Sequence, residues 1–71
     1  MKYDAVLMAM QRSRKAHVGF LKELDDGLLT AERRPGDKDW TETTPFRHVE
    51  TREAISLLDN LIHHYKSINE D

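Results

Sequence analysis

From Tyr3 to about Asp26 the apolar positions recur with a helical rather than an alternating period. At ~100° per residue, Tyr3, Val6, Met10, Phe20, Leu21, Leu24 and Leu28 fall on one arc, with Leu7 and Ala9 at its edges. Asp4, Gln11, Arg12, Lys15, Lys22, Glu23 and Asp26 fall opposite. No proline interrupts the run, and it is rich in Ala, Leu, Met, Lys and Arg, all good helix formers. Gly27, after two aspartates, is placed to cap the C-terminus. The pattern predicts a first helix over 3–27.

A second helical pattern runs over 44–68. Thr43 or Thr44 is expected to cap it, with Pro45 at the first helical position, where a missing N–H costs nothing. Its apolar face is broad: Ala54, Ile55, Leu57, Leu58, Leu61, Ile62, Tyr65 and Ile68. Ala54, Leu58, Leu61, Tyr65 and Ile68 alternate spacings of four and three, the seam of a helix pair. Phe46 and Val49 lie off that stripe by ~100° or more and are expected against the connecting loop, Trp40 included. Residues 69–71 are expected to fray.

Between the helices, Thr30 to Thr43 has no sustained period and is mostly polar. Thr30-Ala31-Glu32-Arg33 is compatible with one short helical turn. Arg34-Pro35-Gly36-Asp37 places proline and glycine at the two central positions of a type II turn. At about fourteen residues the connection is long for a helical hairpin, where ~2–8 is usual, so part of it should be ordered or functional. Trp40 is its single large apolar side chain. It is read as pinning the loop onto the helices, with a partner-facing anchor as the alternative, because tryptophan is enriched at binding hot spots.

Charge supports an antiparallel hairpin. Lys2, Arg12, Arg14, Lys15 and Lys22 stand against Asp4 alone, and then Glu23, Asp25 and Asp26 follow together. Acidic residues at a helix C-terminus oppose its dipole and call for cations nearby. Folding the second helix back brings Arg47 and Arg52 to that end. In a simple register the residue numbers of facing pairs add to ~73, which sets Arg14 near Asp59 and His17 near Ser56. The expected fold is all-α: an antiparallel helical hairpin, one domain over 1–71, with a long, partly ordered connection.

Two helices cannot cover faces this wide. The second helix is apolar over about 160° of its wheel, more than the ~100° stripe of an ordinary surface helix. A chain of 71 residues generally needs a disulfide, a metal or oligomerisation to secure its core. There is no cysteine, which removes disulfides and the commonest structural zinc sites. A homodimeric four-helix bundle, or a higher oligomer, is therefore expected, with Leu57, Leu58, Leu61, Ile62, Tyr65 and Ile68 at its interface. No apolar run approaches the ~18 residues of a membrane span, and no signal-peptide pattern is present. A soluble, cytoplasmic protein with no membrane partner is expected.

The candidate chemistry is sparse. No nucleophile elbow, Walker motif or dinucleotide glycine fingerprint occurs, and no carboxylate sits mid-stripe where burial would raise its pKa. No catalytic residue, cofactor or metal is predicted; the pairs Asp59/His63 and Asn60/His64 have ligand spacing, but two ligands do not make a site. His17 interrupts the first helix's stripe together with Ser13. It is read as a core histidine satisfied by a hydroxyl such as Ser13 or Ser56, or else as a ligand or pH-sensing position. The leading expectation is a small non-enzymatic regulatory or inhibitory module that binds another macromolecule, most simply a protein, as a homo-oligomer through Arg33, Arg34, Lys38 and Trp40. The alternative is an oligomer that sequesters an anionic small molecule or nucleotide between subunits, through Arg14, His17, Arg47, Arg52, Thr43, Thr44 and Thr51. The third is an RNA-binding dimer using Gln11, Arg12, Lys15 and Lys22; the net charge of −2 weighs against it, because nucleic-acid binders carry a basic balance.

Overall fold

The structure, a computed structural model, describes residues 2–69. Two helices, α1 (Asp4–Asp25) and α2 (Thr44–Asn69), pack against each other, and a short antiparallel hairpin, β1 (Ala31–Glu32) and β2 (Thr41–Glu42), joins them. The fold is mostly helical as expected, but the connection is not a loop with a helical turn. Pro35 disfavours helical backbone at its predecessor, Arg34. The Arg34–Asp37 turn then reverses the chain, with Asp37 N–H donating to Arg34 O at 3.0 Å and Gly36 at φ +96°, the type II signature. The flanks run antiparallel in the register Ala31 to Glu42 and Glu32 to Thr41.

The end of α1 is a Schellman cap. Gly27 has φ +109°, Gly27 N–H donates to Leu24 O, and Leu28 N–H donates to Glu23 O at 2.9 Å. The start of α2 differs from expectation. Thr43 is the cap residue through its carbonyl, which accepts Arg47 N–H at 2.9 Å, so Pro45 is the second helical residue. The threonine hydroxyls go elsewhere. Thr44 Oγ1 accepts Thr30 N–H at 2.8 Å and donates to Thr30 O, while Thr30 and Thr43 join hydroxyl to hydroxyl at 2.9 Å. Thr43 N–H also donates to Thr30 O. This knot fixes the β-hairpin to the root of α2.

Contacts between the helices obey the antiparallel register read from the sequence. Tyr3 N–H donates to Asn69 Oδ1 and Asn69 Nδ2 donates to Asp4 Oδ1, at 3.0 and 2.8 Å. The Tyr3 and Tyr65 rings meet at 5.3 Å, Arg14 Nε donates to Asp59 Oδ1, and Asp25 approaches His48 at 3.5 Å. Asn69 is thus part of the helix and does not fray; residues 70 and 71 lie outside the described residues. The acidic end of α1 is met by His48 rather than by Arg47 and Arg52. Arg47 turns to Glu50 of its own helix at 3.1 Å, an i,i+3 neighbour that is within reach without crossing the seam.

The seam itself also differs. Its line of buried and half-buried positions runs through Tyr3, just before α1, and Leu7, Met10, Arg14, His17, Leu21 and Leu24 on α1, and through Thr44, His48, Thr51, Ile55, Leu58, Ile62, Tyr65 and Asn69 on α2, with Ser13, Phe20, Arg47 and Ala54 half-buried beside it. Both sets alternate spacings of four and three. Leu61 and Ile68, expected in the seam, lie at its outer margin, each 36% exposed, while Leu57 is 60% exposed. Val6 and Leu28 are likewise exposed, whereas Leu7, expected at an edge, is buried. The second helix offers two adjacent stripes of helical spacing, and only one can face α1.

Two glycines separate the backbone effects. Gly27→Ala forces a side chain into left-handed backbone and should lower stability by about 1–2 kcal/mol. Gly19→Ala, mid-helix with nothing within 4 Å of an added Cβ, should raise it by about 0.5–1 kcal/mol. Opposite shifts in thermal denaturation followed by circular dichroism check both. For the threonine knot, Thr44→Val leaves Thr30 N–H without its acceptor and should cost about 1–3 kcal/mol. Faster amide exchange at Thr30 is the expected signature, and unchanged exchange contradicts it.

Candidate functional site

Two places on the molecule collect candidate residues. The first is the β-hairpin and its root. The molecule measures 55 Å along its long axis, whereas a helix of 26 residues spans about 39 Å, so the hairpin extends the particle beyond the helices. Trp40 does not pin it down: the residue is 67% exposed, and its polar neighbour is Arg33, whose guanidinium lies 5.6 Å from the ring centroid. Nor do Phe46 and Val49 shelter under the loop, being 68% and 54% exposed. Leu29, Phe46 and Trp40 are the three most exposed large apolar side chains among the described residues; Leu29 and Phe46 flank the Thr30 junction, and Trp40 lies farther out on the β-hairpin, opposite Arg33. The physical reason is the hairpin's direction. Tied at Thr30, it runs on past the helix ends and cannot fold back over them.

Of the other residues expected to bind a partner here, Arg34 faces Glu32 at 3.8 Å, and its amide donates to the Asp37 carboxylate at 3.3 Å. Glu32, Arg34, Asp37 and Thr41 surround a shallow polar recess. Lys38 is exposed. The tip is therefore of mixed sign, with Arg33, Arg34 and Lys38 among Glu32, Asp37, Asp39 and Glu42. Sequence reasoning did not single out Leu29. Its only signal was an apolar residue directly after the helix cap.

The second place is an open cleft of ≈ 230 Å³ on one side of the helix pair, lined by His17, Phe20, Arg47, Glu50, Thr51 and Ala54. It brings together three of the residues expected to hold an anionic ligand: His17, Arg47 and Thr51. His17 Nδ1–H donates to Ser13 O at 2.7 Å, with Ser13 Oγ at 3.5 Å. The predicted partner Ser13 thus serves chiefly through its carbonyl, and a proton held on Nδ1 leaves Nε2 as the neutral ring's acceptor. Arg47 reaches the cleft already engaged by the Glu50 carboxylate, which also lines it.

The remaining candidates are elsewhere. Arg14 is held by Asp59, an exposed pair worth ~0.2–1 kcal/mol that marks the register more than it stabilises. Thr43 and Thr44 belong to the Thr30 knot. Arg52 is exposed and stands about 160° around α2 from Ala54 at the helical period. Gln11, Arg12, Lys15 and Lys22 form the outer face of α1, all exposed. Among the described residues no three metal-binding side chains converge, and no helix is long and apolar enough to cross a membrane. No protein-family model matches this chain, and neither does any curated protein or solved structure.

Proposed function

We propose that this chain is a non-enzymatic, cytoplasmic binding module, a regulator or inhibitor that works as a homo-oligomer and engages another protein through the projecting hairpin. The observation that carries the reading is the gathering of Leu29, Trp40 and Phe46, each about two-thirds exposed or more, at one end of the molecule. Isolated exposed apolar residues are ordinary, whereas several at one end of a molecule support an interaction surface there. Tryptophan and arginine are the residue types that dominate interface energetics, and the Arg33 guanidinium lies over the Trp40 ring. The mixed charge of the tip favours a protein surface, since a phosphate backbone would be met by uncompensated lysine and arginine. The Thr30 knot holds the hairpin in place before any partner arrives, which lowers the ordering cost of binding.

A second reading rests on the cleft. His17, Arg47 and Thr51 present a base, a cation and a hydroxyl beside the Phe20 ring, a set suited to an anionic small molecule or nucleotide. Glu50 counts against it until a ligand displaces that carboxylate from Arg47.

One experiment addresses each reading. Immobilised protein should retain a partner that Trp40→Ala loses by tenfold or more in affinity, the ~1.4 kcal/mol or greater loss expected of an anchor, with the melting temperature unchanged. Equal retention by Trp40→Ala rejects the hairpin as the contact. A thermal-shift screen against nucleotides tests the cleft: a ligand at 100 times its dissociation constant adds ~2.7 kcal/mol. That gain should vanish in Arg47→Ala.

A further inference from the structure

The hairpin is one helix layer thick, 15 Å across its shortest dimension, and its core is correspondingly thin. Leu7 and Leu24 are its buried hydrophobic side chains, and no large side chain among the described residues falls below 2% exposure. The accessible surface is 5748 Å². A compact monomer of 8.3 kDa would expose only about 4,600 Å². The surplus, on the order of 1,100 Å², exceeds the ~800 Å² that each partner contributes to a standard stable interface. A chain that lacks a core of its own needs its cover whenever it is folded, and a second copy is the one partner always present.

The face available for that copy has a shape. Ala16, His17 and Phe20 line one recess, and His17 and Phe20 share another with Ala54, so these parts of α1 and α2 open to the same side. Along that side α1 presents small residues, Ala9, Ser13 and Ala16, between the larger Val6 and Phe20, with Ala5 about 60° around the helix from Phe20. Three and seven residues on from Ala54, α2 presents Leu57 and Leu61, followed by Ile68. Between Val6 and Phe20, a trough over α1 thus lies beside the ridge that Leu57 and Leu61 make on α2. The register levels them. Ala5 and Ile68 are each one residue inward from the Asp4–Asn69 pair, and Ala16 and Leu57 are each two residues along from the Arg14–Asp59 pair.

The geometry points to a two-fold homodimer whose axis runs parallel to the helices. This inference rests on the homo-oligomer part of the reading above and specifies its interface. An axis in that direction keeps every residue at its level and exchanges the columns. Leu57 of one subunit is then seated over Ala16 of the partner subunit, and Ile68 over Ala5 of the partner subunit. Each α2 lies antiparallel on the partner's α1, where alanines permit close approach. An axis perpendicular to the helices would instead stack ridge on ridge and leave the troughs empty. The parallel axis also roofs the His17–Arg47 cleft with the second subunit.

Because the chain has no cysteine, single-cysteine variants report the arrangement directly. Ala16→Cys and Leu57→Cys proteins, refolded together under oxidised glutathione, should form a mixed disulfide dimer at least tenfold in excess of either homodimer. Ala5→Cys with Ile68→Cys should do the same, which guards against one variant failing to fold. Homodimers of Leu57→Cys in excess, or no crosslink in either pair from a protein that sediments as an oligomer, overturns the parallel axis and leaves self-association standing. Wild-type protein that sediments as a monomer at tens of micromolar overturns both, and assigns the face to some other partner.

Discussion

A single helix laid against a single helix can bury only one strip of each, and the rest of this structure answers to that limit. The strip on α1 runs through Leu7 and Leu24 near its ends but through Arg14 and His17 in its middle. Polar members are tolerated there because the seam is narrow. Arg14 is exposed enough to reach Asp59 at the margin, and His17 returns its ring proton to Ser13 O within its own helix. The Arg14–Asp59 pair adds little stability, since exposed charge pairs are screened, and the His17 bond lies within α1 and does not cross the seam. They permit the register without driving it. The driving force has to come from apolar area, and most of what α2 offers lies outside the strip.

The two ends of the hairpin are held by different physics. At the open end, Tyr3, Asp4, Tyr65 and Asn69 close the helices with an aromatic contact and two hydrogen bonds. At the connected end, backbone geometry does the work. A left-handed glycine stops α1, and the Thr30–Thr43–Thr44 hydroxyls tie the returning strand to the first turn of α2. Hydroxyls expected to cap a helix instead satisfy a strand. That exchange sends the hairpin past the helix ends and leaves Trp40, Phe46 and Leu29 without cover. The same local chemistry that orders the connection thus exposes the surface proposed to meet a partner.

The two candidate places differ in how far they stand alone. The hairpin cluster is complete within one chain. The cleft is open, and its cation is neutralised by Glu50, so a ligand there would depend on a roof from a second subunit. Association and ligand binding would then be linked, each stabilising the other by mass action.

The amino-acid sequence by itself determined the local features: two helices, the Gly27 stop, the Arg34–Asp37 turn, and the register that sets Arg14 against Asp59. Each follows from a short-range rule, helical period, positive φ or charge order, that a few residues suffice to state. The tertiary structure alone decided which stripe became the seam. On α2 the series through Ile55, Leu58 and Ile62 and the series through Leu57, Leu61 and Ile68 both have helical spacing, and both are apolar. Periodicity ranks them equally; only the position of α1, fixed by contacts sixty residues apart along the chain such as Tyr3 with Tyr65, chooses between them. The β-hairpin was hidden for a related reason. Its strands are two residues long, too short for an alternating pattern, and they exist because Thr30 finds Thr43 and Thr44 in space. A partner that lies across a turn leaves no period in the sequence.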